Sequence, residues 1–269
     1  MSVKQPNTPT GSAAPIAIVL AAGKGTRMGT DLPKVLAEAA GRPLVSWVLD
    51  ALAAAGISDR IVVVGYRGEL VRETLAGVPG VSFAVQQEQR GTGDAAAAAA
   101  GLIRDRLQTT PSGVSRPVVI VCGDSPMLRP ASVTGLLAEF TARRAACLLG
   151  TAVTSDPSGL GRIVRGPQGG FERIVEEKDA TPTERGIHEV NMSTYVFEAR
   201  DLLHALQGLD NANAAGEYYL TDCPGLLLRE GKPVDAVACL DASETLSVNT
   251  PEQLAAVSRA LVARTPGPS

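Results

Sequence analysis

The stretch that most limits what this chain can fold into is "IAIVLAAGKGTRMGTDLPK", residues 16–34. An unbroken apolar run stops abruptly. Three glycines (Gly23, Gly25, Gly29) and three cations (Lys24, Arg27, Lys34) follow within a few positions. A continuous apolar run is expected of a strand buried on both faces, the kind found in parallel sheets covered by helices. Glycines placed directly after such a strand let backbone N–H groups approach a ligand, and a concave nest of N–H groups attracts phosphate. The spacing is G-x-G-x-x-x-G, so neither the dinucleotide fingerprint G-x-G-x-x-G nor a Walker A loop ending in G-K-[ST] is present. Taken alone, the stretch also reads as a surface loop with solvated cations.

The remaining chain repeats the strand-then-helix rhythm. Helical spacing over 44–55 ends at Gly56, a strand is expected over 60–66, a helix over 69–76 and a strand over 81–86. Residues 91–107 start with glycines and become an Ala-rich helix, since Ala has the best helix propensity. A strand over 118–124 ends in Asp124, a helix over 130–144 opens on proline, and "ACLLGTAV" is a fifth strand. This alternation predicts an α/β fold with a doubly wound, mostly parallel sheet. After residue 153 the rhythm changes. Residues 161–180 read as a β-hairpin turning at "GPQGG", and "EVNMSTYVFEAR" adds a strand. Helices are expected at 199–206 and 218–230, a strand at 234–240 and a last helix at 251–263. The expected organisation is a disordered tail over 1–14, one domain over 15–263 in two halves (15–153 and 154–263), and a loose end over 264–269. No internal repeat occurs, and in particular none of the hexapeptide kind that builds a left-handed β-helix.

Composition narrows the partners. With 45% hydrophobic but only 3% aromatic residues, the core of this 269-residue chain must be built from Ala, Val, Leu and Ile. A net charge of −3 without a basic block argues against nucleic acid or an anionic membrane. No apolar run approaches the ~20 residues of a membrane span, and the polar N-terminus lacks a signal-peptide pattern. Cys122, Cys147, Cys223 and Cys239 are scattered, with no C-x-x-C, and read as free thiols of a reducing cytosol. His188 and His204 lie far apart and suit surface or capping roles. In doubly wound sheets ligands sit at the carboxyl ends of the strands, so the glycine loop and Asp124 are expected on one sheet edge. An acid there could anchor the Mg²⁺ of a triphosphate, or simply cap the next helix.

"LAAGKGTRMGTDLPK", "QQEQRGTGDA", "CGDSPML", "GLGRIV", "VEEKDAT", "EVNMS", "GEYYLTD" and "LSVNT" occur in one order. Together they closely resemble the uridylyltransferase domain of the bacterial bifunctional N-acetylglucosamine-1-phosphate uridyltransferase/glucosamine-1-phosphate acetyltransferase family, over roughly residues 15–255. The first motif alone is similar to the whole sugar-nucleotidyltransferase superfamily, while "VEEKDAT" and "GEYYLTD" narrow it to the N-acetylglucosamine branch. The resemblance implies a Rossmann-like sugar nucleotidyltransferase fold, with 15–153 as nucleotide-binding half and 154–263 as sugar-binding half. It implies Mg²⁺-dependent transfer of UMP from UTP to N-acetylglucosamine 1-phosphate, giving a precursor of the bacterial cell wall.

By that resemblance Leu20, Ala21, Ala22 and Gly23 line the uridine and phosphate side. Arg27 holds the leaving pyrophosphate, and Lys34 sits near the reacting phosphates. Gln86 and the Gly91 backbone read the uracil edge with Thr92 beside them, a task suited to an amide that offers both donor and acceptor. Asp124 and Asn249 hold the metal, and Gly161, Glu176 and Asn191 contact the sugar. Ordinary structural roles are open to several of these: Gln86 as a strand-end polar residue, Glu176 as half of an exposed pair with Glu177, Asn191 as a turn former, Asn249 as a helix cap. Tyr218 and Tyr219 read equally as core aromatics. The chain departs from the family at Cys122 (usually aromatic), at Asn191-Met192-Ser193 (usually Asn-Thr-Gly) and at Ser247-Val248-Asn249-Thr250-Pro251. The acetyltransferase β-helix has no counterpart here, so the expectation is a monomer or weak dimer. Two rival readings are a uridylyl- or thymidylyltransferase for another sugar 1-phosphate, such as glucose 1-phosphate, and a silent nucleotide-binding module.

Overall fold

The computed structural model describes residues 11–25, 28–29, 31–213 and 215–264. Arg27 lies outside the described residues, as do most of the two expected tails.

Strand β1 (Ile16–Ala21) is the apolar run of the first motif. Its side chains alternate between two cores: Ile16 and Ile18 face one, Ala17, Val19 and Ala21 the other. A strand with no polar face can only sit mid-sheet between two helical layers, and each fully buried Val or Ile contributes roughly 1.5–3 kcal/mol. Two short strands, β2 (Glu38–Ala39) and β3 (Arg42–Pro43), form a small separate ladder, which leads into helix α1 (Leu44–Ala54). Then come β4 (Asp59–Val64), α2 (Gly68–Thr74), β5 (Val81–Val85), α3 (Thr92–Ala98) and α4 (Ala100–Gln108). The first stretch closes with β6 (Pro117–Cys122), α5 (Pro130–Arg143) and β7 (Cys147–Val153). The second stretch holds the hairpin β8 (Arg162–Arg165) and β9 (Phe171–Val175), then α6 (Pro182–Arg185) and β10 (Glu189–Glu198). It ends with α7 (Ala199–Gln207), α8 (Asp222–Arg229), β11 (Val234–Val237) and α9 (Pro251–Arg264).

Among the described residues the main sheet has nine strands, in the order β11-β7-β10-β6-β1-β4-β5, with β8 joined to β10 and β9 to β8. The pairs β1–β4, β1–β6, β4–β5 and β7–β11 are parallel. Strand β10 runs antiparallel between β6 and β7. The sheet is therefore doubly wound and mostly parallel, as the sequence predicts, with the hairpin attached through β10. The switch in strand order falls at β1, where the chain moves one way to β4 and the other to β6. In open α/β sheets a crevice opens at that point.

Two helices differ from expectation. The Ala-rich helix is divided at Ala99, whose N–H reaches back three residues to the Ala96 carbonyl. Helix α8 starts at Asp222 rather than 218, because the backbone of Tyr218 is used elsewhere: its N–H donates to Arg90 O at 2.8 Å and its carbonyl accepts from Gly93 N at 2.8 Å. No helix among the described residues is long and apolar enough to cross a membrane. All four cysteines are free.

Candidate active site

At the switch point a cleft of about 410 Å³ opens at the carboxyl ends of β1 and β6. Leu20, Ala22, Gly23, Gln86, Gly91 and Thr92 line it. Ala21 does not: its side chain, 1% exposed, turns into the core on the opposite side of β1 from the cleft-lining Ala22. Of the loop glycines, Gly25 is required by packing, since at φ +68° a Cβ there would stand 2.5 Å from Lys34 Cβ. Gly91 is required more strictly. At φ +109° a Cβ would meet Tyr218 O at 2.5 Å, so only glycine permits the 217–220 segment to close over the start of α3. The Thr92 hydroxyl accepts from Leu220 N at 3.0 Å and pins the same segment. Lys24 reaches the Tyr66 ring, with its ammonium 5.1 Å from the centroid.

Lys34, Asp124 and Asn249 meet on the cleft wall although they come from distant parts of the chain. The Lys34 ammonium forms an ion pair with Asp124 Oδ2 and donates to Asn249 Oδ1 at 2.7 Å. One carboxylate oxygen and one amide oxygen thus converge on a single cationic group. Both are oxygen donors of the kind Mg²⁺ accepts, and a set of two leaves room for the waters and phosphate oxygens that this ion keeps at nucleotide sites. Among the described residues no group of three or more His, Cys, Asp or Glu gathers elsewhere to form an all-protein cage. The site fits a metal that arrives with a nucleotide.

A second cavity, about 220 Å³, adjoins the cleft and shares Leu20, Thr92, Cys122 and Glu217 with it. Glu176 lines it from the end of β9, opposite Tyr195 and Tyr219. Burial holds the Glu176 carboxyl above its ordinary value of 4.5, Asp179 and Asp222 push the same way, and a hydrogen bond with Thr221 opposes them. Its neighbour Glu177 turns outward and accepts from the buried Arg162 guanidinium at 2.7 Å. The two glutamates are therefore not an equivalent exposed pair.

The structure brings Gly161, Glu176 and Asn191 together: a Cβ on Gly161 would stand 3.5 Å from both Glu176 Oε2 and Asn191 Cβ. Their surroundings differ, however. Asn191 is 6% exposed and borders a separate cavity of about 170 Å³ beside Asp124 and Asn249. Its Nδ2 donates to Tyr195 Oη at 2.7 Å and its Oδ1 accepts from Ser193 N at 3.2 Å. Its amide thus braces β10 first, and one N–H and one Oδ1 lone pair remain for a ligand. Tyr218 and Tyr219 are half-buried rather than core aromatics; Tyr219 lines the second cavity and Tyr218 lies under Arg90.

Sequence reasoning missed Cys122 and Ser193 as wall residues. A bulge between Asn191 and Thr194 puts Ser193 at φ +49°. There it lines the same cavity as Cys122, whose thiol is pushed up to about 12 by burial. Together they separate the cavity of Glu176 from that of Asn191. Bulges re-aim side chains in this way, but nothing in "NMST" announces one.

The profile of the MobA-like NTP transferase domain matches residues 17–216. Bifunctional protein GlmU of Geobacter metallireducens is 44% identical over 90% of this chain and 49% of its own length. GlmU of Pelobacter propionicus is 42% identical over 91% of this chain and 52% of its own. The chain thus spans about half the length of these curated relatives. Among solved structures, apo-UDP-glucose pyrophosphorylase superposes with a TM-score of 0.72 at 14% identity, over 94% of this chain and 99% of the other. A putative glucose-1-phosphate thymidylyltransferase from Bacillus anthracis gives 0.71 at 17%, over 94% and 98%. These two share the fold. The profile match runs from the first buried strand to the edge of the segment that closes over the start of α3, and the chain belongs to the MobA-like NTP transferase domain family.

Proposed function

We propose that this chain transfers UMP from UTP to N-acetylglucosamine 1-phosphate, releasing pyrophosphate and forming UDP-N-acetylglucosamine. The observation that carries the reading is the pair of adjoining cavities, about 410 and 220 Å³, that share a wall of Leu20, Thr92, Cys122 and Glu217, with Lys34 and Asp124 on the larger. Two substrates placed there meet with the sugar phosphate beside the α-phosphate. A phosphate oxygen of the sugar forms the new bond to the α-phosphorus, the bond to the bridging oxygen breaks, and pyrophosphate leaves in line. The attacking oxygen is already anionic, so no general base is needed. Positioning and charge neutralisation account for the rate.

Gln86, with the Gly91 backbone, faces the base. The loop from Leu20 through Gly23 carries the phosphates, and Lys34 and Arg27 neutralise their charge. Glu176 accepts hydrogen bonds from sugar hydroxyls, and Gly161 leaves space for the acetamido group. Asp124 and Asn249 would hold Mg²⁺, which when bound supplies further neutralisation of phosphate charge. In this reading 15–263 acts as one catalytic domain whose two halves carry nucleotide and sugar, and the protein works in the cytoplasm as a monomer or weak dimer.

Pyrophosphate release with UTP, Mg²⁺ and a panel of sugar 1-phosphates tests this. N-acetylglucosamine 1-phosphate should give the highest kcat/KM, and chelation should abolish turnover. Faster turnover of glucose 1-phosphate would move the assignment to another sugar. Absence of turnover with every member would leave a nucleotide-binding module.

A further inference from the structure

Gln86 is 5% exposed and lines the nucleotide cleft. Its Nε2 donates to Asp94 Oδ2 at 2.8 Å and to Gly91 O at 3.1 Å. A carboxylate and a carbonyl are both acceptors, so an amide oxygen in that place would face two oxygens. The chemistry of the partners fixes which end of the amide points where. Oε1 has no partner among the described residues and is not buried, so it is the amide atom left to a ligand of the cleft.

Asp94 is itself held. Arg90 donates to its Oδ1 at 2.9 Å while lying 5.6 Å from the Tyr218 ring centroid. Each carboxylate oxygen therefore has its own donor, and the charged partner of Gln86 cannot turn away without breaking the contact with Arg90. The Gly91 carbonyl is less committed, because it also receives Ala95 N–H at 3.1 Å.

We propose that Asp94 is a positioning residue for nucleobase choice: it holds the Gln86 NH₂ and so presents a lone acceptor to the base. A base edge with an N3–H donor, uracil or thymine, satisfies that acceptor. Cytosine offers an unprotonated N3 and would set acceptor against acceptor. A site built around one polar partner rejects the mismatched analogue strongly, because its own polar group is left unpaired. The inference rests on reading Gln86 as the residue that meets the base edge.

Steady-state kinetics with UTP and CTP on wild type, Asp94→Asn and Gln86→Ala test it, with the KM for the sugar phosphate and Tm as controls. Asn keeps the size of Asp but can turn an NH₂ toward Gln86, which frees the Gln86 amide to present either end. The expected result is a UTP:CTP ratio of kcat/KM that falls about tenfold or more in Asp94→Asn, with sugar-phosphate KM and Tm close to wild type. An unchanged ratio in Asp94→Asn, where wild type prefers UTP and Gln86→Ala abolishes the preference, overturns the role of Asp94 alone. Equal losses with both nucleotides would likewise mark a purely structural role at the start of α3. If wild type takes CTP as readily as UTP, or Gln86→Ala keeps the preference, the reading of Gln86 itself fails, and the inference with it.

Discussion

Burial holds the Glu176 carboxyl above its ordinary 4.5, and this makes the proposed sugar ligand a liability to the fold as well. A carboxyl whose pKa is raised in the folded state costs stability when it ionises. The cost is absent below the unfolded value, grows as pH rises through the folded one, and is then constant. Glu176→Gln should therefore raise Tm at pH 7–8, and the gain should vanish below about pH 4.5, the ordinary value. The same variant should raise the KM for N-acetylglucosamine 1-phosphate at neutral pH. Toward acid the wild-type KM should climb to meet it, the titration of the substrate phosphate being common to both. Paired pH profiles of Tm and KM check this; parallel profiles would mean that Glu176 stays ionised and outside the sugar site. At this scale the sequence showed which residue types the chemistry needs, and not their attachments. "VEEKDAT" contains two glutamates, and only the burial of Arg162 decides that Glu177 is taken by an ion pair while Glu176 faces a cavity. Likewise Gln86 was legible as a polar strand end, but the orientation of its amide depends on Asp94, one helical turn into α3.

The hairpin β8–β9 carries at its two ends Gly161 and Glu176, two of the three residues proposed to contact the sugar. Its turn was legible because "GPQGG" leaves little but a loop, and the flanking apolar alternation fits two short strands. Its docking was not legible. β8 touches β10 through Val190 and Arg162, and that join puts the carbonyl of Gly161 within 2.8 Å of Asn191 N. A side chain at 161 would press on Ile174 Cγ2 at 3.2 Å and Glu176 Oε2 at 3.5 Å, both on or just beyond β9. Gly161→Leu should thus displace the Glu176 carboxylate and raise the KM for N-acetylglucosamine 1-phosphate at least about tenfold, a loss of ~1.4 kcal/mol. The KM for UTP should stay within about twofold, because the nucleotide cleft is built on β1, β6 and α3. Equal losses for the two substrates would show that the hairpin serves the whole site rather than the sugar.

At the scale of the molecule, the α/β alternation predicted a doubly wound, mostly parallel sheet, and one was formed. It could not predict that β10, from the second stretch of chain, enters antiparallel between β6 and β7 of the first, because strand order is a property of pairs far apart in sequence. That insertion has a thermodynamic consequence. Residues 154–263 cannot unfold without stripping β6 and β7 of the partner they share: Val196 is paired with Val119 on one side and Leu148 on the other. The cleft and the second cavity also share Leu20, Thr92, Cys122 and Glu217, so a ligand in either braces residues of both stretches. Calorimetry should therefore show one transition, with calorimetric and van't Hoff enthalpies equal. UTP with Mg²⁺ at a hundred times its Kd stabilises a folded state by about 2.7 kcal/mol. At about 2–4 °C per kcal/mol for a domain of this size, the whole transition should move up by roughly 5–11 °C. Two transitions, with only the first responding to UTP, would show instead that the two stretches of chain fold as separate units, and that the strand shared between them does not couple their stabilities.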